Sequence, residues 1–269
     1  VSWLDTLVAV SVSDPPEQDL RARGLSGEHV RHAFVELVRQ IFAAGGSFAY
    51  GGDLRQSGYT RTLMALLHTY SRPDRPARER VRQYLAAYVW KEMTPEDEEE
   101  LAILATPVRV PAADPADQPG PLARARDLTA MRELMAAEAD ARVLLGGRIA
   151  GQQGRWPGIV EEAYLALRAG QPLYVAGGLG GAAARVAEAL RGSWPEVLTD
   201  AFQRSHTEAA ARLIEAGPGV TEEDLRATLV GAALGNGLGG EENEQLLQTA
   251  DLDVIVALIM RGLGNVAGS

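Results

Sequence analysis

The stretch LLGGRIAGQQGRWPGIVEEA, residues 144–163, combines the residue types that hold an anion. An apolar run ends in Gly146-Gly147, a segment carrying Arg148 and Arg155 follows, and Pro157-Gly158 opens a helix-like pattern containing Glu161 and Glu162. A plain strand-to-helix connection needs about two to six residues, and this one is longer. Glycine lets backbone approach a phosphate closely, and the N–H groups and dipole of a helix N-terminus favour negative charge. Pro157 suits the first helical turn, an arrangement that points the Gly158, Ile159 and Val160 N–H groups at the loop. Arg148 and Arg155 can make bidentate contacts to phosphate oxygens, and Glu161 or Glu162 can accept from ribose hydroxyls. Trp156, set among glycines and arginines, is a candidate for stacking on a base, with core packing as the alternative.

Two further apolar runs end in paired glycines, at Gly51-Gly52 and Gly177-Gly178. In open parallel sheets, ligands bind outside the carboxyl ends of the strands. Three glycine-ended strands on one sheet edge therefore point to a nucleotide bearing phosphate and ribose. Each feature alone has a plainer reading: a turn, a solvated arginine, or acidic residues complementing a helix dipole. AGGLGG, residues 176–181, does not complete the GxGxxG dinucleotide fingerprint.

The elements that must position these loops follow a strand–helix alternation. DTLVAVSVS (5–13) reads as a strand running into Asp14-Pro15-Pro16. Ser26 caps a predicted helix with Val30, Phe34, Leu37, Val38 and Ile41 on one face, stopped by Gly45-Gly46. SFAYGG is a second strand, YTRTLMALLHTY a helix, and residues 81–90 hold a third strand with Trp90 near its end. TPEDEEELAIL is an exposed helix start, ATPVRVPA a short edge strand, and residues 111–121 a proline-rich linker. A helix (LARARDLTAMRELMAAEA), the strand ARVLLGG, the opening loop, a helix, the strand QPLYVAGG and the helix GGAAARVAEALRG complete an α/β grammar. The fold predicted is a Rossmann-like open parallel sheet with helices on both faces over residues 1–192. A C-terminal extension over 193–269, with four helix candidates, is expected to cap the sheet or to dock beside it.

Composition narrows the chemistry. The 269 residues include no cysteine, which excludes a disulfide framework, a thiolate metal site and a cysteine nucleophile. The four histidines (His29, His32, His68 and His206) make no HExxH, and His29 with His32 reads as a solvated helix face, so no metal is expected. A formal net charge of -10 without a basic stripe argues against nucleic acid. No apolar run reaches the ~18 residues a membrane span needs and no signal peptide is visible, so a cytoplasmic location is expected. The sequence begins at Val1 rather than Met, which reads as a processed protein or a module of a longer one.

FAYGGDLRQSGYT, VLLGGRIAGQQGRWPGIVEEA and PLYVAGGLGGAA together resemble the SLOG superfamily of Rossmann-like nucleotide-binding domains, over roughly residues 5–192. That superfamily includes the LOG phosphoribohydrolases, the ADP-ribose-binding region of TRPM channels, and modules fused to TIR or sirtuin domains in bacterial defence. The likeness is closest to the last group, and the tail from Asn236 also resembles the helical ending such modules carry. This resemblance implies a non-enzymatic sensor of an ADP-ribose-type or cyclic ADP-ribose signal in a Thoeris-like system, forming a homo-oligomer and switching on a TIR or sirtuin effector in the same or a neighbouring chain. No other cofactor is implied. The VSVSDPP exit matches the family's first strand, with Ser11 and Ser13 as phosphate or ribose donors, while Asp53 and Arg55 follow the second glycine pair at the same mouth.

The LOG enzymes use a PGGxGTxxE loop and an arginine on the preceding helix. Here Gly146-Gly147, Gly158 and Glu161 or Glu162 match, but residues 148–157 stand where that loop has a single residue, and Ile159 replaces the threonine. AMRELM offers Arg132, although the spacing puts Met131 at the arginine's place. The enzyme alternative is a phosphoribohydrolase acting on a nucleoside monophosphate, with Arg132 and Glu161 or Glu162 as its pair. A third alternative is an assembly module that has lost its ligand.

Overall fold

The computed structural model describes residues 6–51, 59, 63, 66, 76–116, 119–217 and 219–268. Its sheet has six strands: β1 (Leu7–Ser13), β2 (Ser47–Tyr50), β3 (Val81–Leu85), β4 (Thr106–Arg109), β5 (Ala141–Gly146) and β6 (Leu173–Ala176). Their order is β4-β3-β2-β1-β5-β6, and every pairing is parallel. The longest register joins β1 to β5, from Val8 opposite Ala141 to Ser13 opposite Gly146. β5 and β6 are buried along their whole length, as apolar strands must be where helices cover both faces.

The helices of this α/β body are α1 (Glu17–Ala22), α2 (Gly27–Ala43), α3 (Ala87–Glu92), α4 (Pro95–Leu104), α5 (Pro121–Glu138), α6 (Gly158–Arg168) and α7 (Gly181–Leu190). On one face, the apolar stripe of α2 (Val30, Phe34, Leu37, Val38 and Ile41) packs against Val8, Val10, Val143 and Leu145. On the other, α5 sets Met131 and Met135 against Leu7, Ala9 and Ala49, while α6 and α7 set Val160, Ala163 and Val186 against Leu144, Leu173 and Val175. Ser26 does cap α2: its backbone N–H donates to His29 Nδ1 at 3.1 Å, which gives that histidine a structural partner.

Three local differences from the sequence reading have physical causes. Residues 17–22, beyond the expected strand and before the helix expected after Ser26, form α1, and α3 (87–92) begins inside the 81–90 run expected to hold the third strand. The β3–β4 ladder ends with Leu85 opposite Arg109 and the Val110 N–H on the Leu85 carbonyl, so the chain beyond Leu85 makes its hydrogen bonds locally. Trp90 is thus half-buried on a helix, its indole N–H donating to the Val110 carbonyl at 2.9 Å. The single helix expected over 194–217 divides at Thr207 into α8 (Asp200–His206) and α9 (Glu208–Ala216). Thr207 adopts extended backbone and is buried, turning its hydroxyl toward the loop after β5. The helix expected after the second glycine pair falls mostly outside the described residues; Tyr59, Leu63 and Leu66 are helical.

The remaining helices are α10 (Glu222–Leu229), α11 (Gly240–Gln248) and α12 (Leu252–Ala267). They are seated on the sheet body. Leu246, Ile255, Leu258, Ile259 and Leu263 join the same core as α2, and Leu225 and Leu229 join the core of α6 and α7. Among the described residues no helix is long and apolar enough to cross a membrane.

Candidate ligand-binding crevice

The strand order reverses between β1 and β5, so the connections leaving these two strands diverge and open a crevice at their carboxyl ends. A cavity of about 220 Å³ lies there, lined among others by Ser11, Ser13, Gly51, Arg132, Arg148 and Glu162. Gly146 and Gly147 make the turn out of β5 at φ 63° and 103°. A Cβ on Gly146 would stand 2.8 Å from the Ser13 carbonyl oxygen, and one on Gly147 2.5 Å from Ile159 Cδ1. Glycine is therefore required for the tight fit of this turn against β1 and α6. The Gly147 N–H donates to the Ser13 carbonyl at 2.7 Å, which places Arg148 at the mouth beside Ser13. Arg148 is exposed and makes no ion pair among the described residues. Across the crevice α6 begins at Gly158, with Pro157 as the residue before its first turn rather than inside it. The Val160 N–H returns to the Pro157 carbonyl at 2.9 Å, so only the first amides of the helix remain for the loop side.

Beneath the mouth lies a network of charges. Glu162 sits between two guanidiniums: Arg132 Nε donates to its Oε1 and Arg142 Nη1 to its Oε2, both at 3.3 Å. Arg132 also pairs with Glu161, whose other oxygen accepts from Thr129 Oγ1 at 2.5 Å. Arg142, fully buried on β5, donates to Ser11 Oγ at 3.0 Å and to Gln171 Oε1 at 3.2 Å. Burial works against the charge on Arg132, but Glu161 and Glu162 more than offset it and hold its pKa above the ordinary value. For Arg142 burial prevails and lowers it, Glu162 offsetting only part.

This network separates the two glutamates. Glu162 lines the crevice, whereas Glu161 lines a different cavity, of about 430 Å³, between α5 and the α9–α10 region. Arg132 does reach the crevice, while Met131, at the spacing of the LOG arginine, is buried under Gly51. Arg142 escaped the sequence reading, although a charge inside the apolar run ARVLLGG was its signal. Tyr88, which also lines the crevice, was hidden by the strand expected there.

Other sequence candidates stand elsewhere. Arg155 pairs with Asp200 and lies outside the crevice lining. Trp156 is 1% exposed, packs in the α6–α7 core and donates from its indole to the Val220 carbonyl at 2.8 Å, so it offers no face for a base. Gly177 and Gly178 are buried beneath the chain that leaves α11; a Cβ on either would collide with the Leu247 or Thr249 carbonyl. The helix start behind them already has an anion: Asp19 Oδ2 accepts the Gly181 N–H at 2.6 Å, and Arg23 and Arg185 flank that carboxylate. Gly52, Asp53 and Arg55 lie outside the described residues, and Gly51 lines the crevice.

The length of the loop after β5 has its explanation in the C-terminal helices. The Gly151 N–H donates to Thr207 Oγ1 at 2.9 Å, Gln152 Nε2 to Gln203 Oε1 at 2.7 Å, and Gln203 Nε2 to the Ile149 carbonyl at 3.0 Å. Gln203 is fully buried. The loop therefore serves two masters: Arg148, Gln152 and Gln153 wall the crevice, and its backbone is stapled to α8 and Thr207.

No curated protein matches the chain. A family model described as SLOG cluster2 matches residues 3–246, from β1 through most of α11. The match covers nearly the whole chain and accords with the parallel sheet and its switch-point crevice, and the chain belongs to the SLOG cluster2 family, a group with a Rossmann-like nucleotide-binding fold.

Proposed function

We propose that this protein is a non-enzymatic sensor that binds an ADP-ribose-type nucleotide, cyclic ADP-ribose included, in the β1/β5 crevice. The observation that carries this reading is Arg148: a guanidinium without an ion-pair partner among the described residues, beside Ser13 and across from the start of α6. A phosphate set between them gains charge-assisted bonds and a helix N-terminus together. Ligand contact with Arg148 or Gln152 acts on a loop that is bonded to Gln203 and Thr207, so occupancy biases the C-terminal helices. In this reading the bias alters self-association and switches a TIR or sirtuin effector, in the same or a neighbouring chain, during bacterial antiviral defence.

Calorimetry with ADP-ribose, cyclic ADP-ribose and NAD tests the binding, with Arg148→Ala as the comparison. A charge-assisted bond is worth about 1.5–3 kcal/mol, so the variant is expected to bind at least tenfold more weakly at unchanged thermal stability. Absence of heat with all three ligands overturns the reading. Sedimentation with and without the bound nucleotide tests the self-association.

A second reading is favoured by one observation: Arg132 and Glu162 both line the crevice, as a phosphoribohydrolase pair would. Glu162 would act on the attacking water and Arg132 would steady the leaving side. Incubation with AMP followed by chromatography for free adenine decides between the two.

A further inference from the structure

The crevice does not end at Arg148. Tyr88, in the first turn of α3 beyond the carboxyl end of β3, also lines a second cavity of about 440 Å³. This groove runs along the same sheet edge, between α3 and the start of α5, under the segment that leaves β4. Sites for small molecules enclose roughly 300–1,000 Å³. The crevice alone falls below that range, and crevice and groove together fall within it.

The groove has a built interior. Arg124 lies over the Tyr88 ring, 5.3 Å from its centroid, and is held there by Glu92 at 3.1 Å. Tyr88 is tied in turn to the crevice wall, its hydroxyl donating to Gln153 Oε1 at 3.1 Å. Asp127, on α5, lines the groove and is 7% exposed. Its Oδ1 accepts the Ala113 N–H at 2.9 Å, and Oδ2 has no partner among the described residues. That oxygen is not sealed from solvent, so it stands open as an acceptor for a ligand's N–H in the groove that Asp127 lines.

We infer that this groove is the base subsite of the nucleotide site, with Tyr88 and Arg124 as its stacking surface and Asp127 as the acceptor for the exocyclic amine of the base. The inference rests on the nucleotide-binding reading above and extends it from the sugar-phosphate to the base. Tyrosine and arginine both stack on flat π-systems. An ionised aspartate is acceptor-only, so an exocyclic amine satisfies it and a ring carbonyl at the same position repels it. The favoured ligand carries an amino-substituted base such as adenine rather than its keto counterpart hypoxanthine.

Calorimetry with ADP-ribose and its hypoxanthine counterpart, on the full chain, tests this directly. Wild type is expected to bind ADP-ribose at least tenfold more tightly. Asp127→Asn keeps an oxygen for the Ala113 N–H and turns the other position into a donor, and it is expected to erase or reverse that ratio. Tyr88→Leu is expected to weaken both ligands at least fivefold, and Arg148→Ala to weaken both while preserving the ratio. Equal binding of the two ligands by wild type, or a ratio unmoved by Asp127→Asn, overturns the base subsite and leaves the crevice reading standing. Binding of neither ligand by wild type overturns both. The wild-type ratio needs no variant to fold, and Tyr88→Leu reports independently of Asp127.

Discussion

Arg155 and Asp200 meet in a two-pronged ion pair, with Nη2 3.0 and 2.9 Å from the two carboxylate oxygens and Nε 3.3 Å from Oδ1. An arginine that reads in sequence as a phosphate ligand is thus engaged by the protein's own carboxylate, 45 residues along the chain. Arg155→Ala is expected to lower stability by about 1–2 kcal/mol, with Asp200 left unpaired, while nucleotide affinity stays within about twofold of wild type. Urea denaturation reads the first and calorimetry the second. A double-mutant cycle with Asp200→Ala isolates the coupling. Additive losses would show that the pair does not fasten the loop.

Gly178 marks a backbone crossing. Its substitution by alanine drives a Cβ into the Thr249 carbonyl, whereas a Cβ on Gly240 meets nothing within 4 Å. Gly178→Ala is expected to cost about 3 kcal/mol or more, at the upper end of overpacking effects, by lifting the α11–α12 connection off the sheet. Gly240→Ala, at the start of α11, is expected to be neutral or mildly stabilising. Thermal unfolding of both variants checks the contrast.

These two positions explain what could be read before folding. The sheet was legible because strands such as VLLG and LYVA are apolar without alternation, and α2 because its apolar residues share one face. Gly146-Gly147 and Arg148 were legible because they depend on the local turn. Arg155, Trp156 and Gly177-Gly178 were not. Guanidinium bonds carboxylate and phosphate alike, a tryptophan packs as readily as it stacks, and a glycine that admits close approach does not say what approaches. Their partners Asp200, Val220 and Thr249 come from a distant part of the chain. Choosing between Glu161 and Glu162 required the rotation of α6 about its axis, which a two-residue ambiguity in sequence cannot supply.

Trp156→Phe tests the core assignment. It removes the indole donor and leaves the Val220 carbonyl without that bond. A loss of about 1–3 kcal/mol is expected for the unsatisfied group, with ligand affinity unchanged. A large affinity loss at unchanged stability would return Trp156 to the binding surface.

Glu133 lines the cavity that Glu161 faces, and burial, then the charge of Glu161, raise its pKa above the ordinary 4.5. The folded state therefore binds this proton more readily than the unfolded chain, and ionisation works against folding as pH rises through the raised value. Glu133→Gln is expected to be slightly more stable than wild type near pH 7, the gain being small because the side chain is only partly withdrawn from solvent. The advantage should shrink as pH falls toward and below 4.5. Denaturation midpoints across that range measure it, and a gain that grows on acidification contradicts the assignment.

The Asp19 carboxylate on the Gly181 amide carries a consequence for how a diphosphate would lie in the proposed site. A phosphoryl group arriving at the head of α7 must evict a tethered competitor that never dilutes away, whereas the head of α6 poses no such contest among the described residues. The molecule is consequently lopsided toward its guests. In the proposed reading a second phosphoryl group would be steered away from β6 and toward the β2–β3 flank, so the protein's own acid would set the orientation of an elongated ligand before any base is recognised.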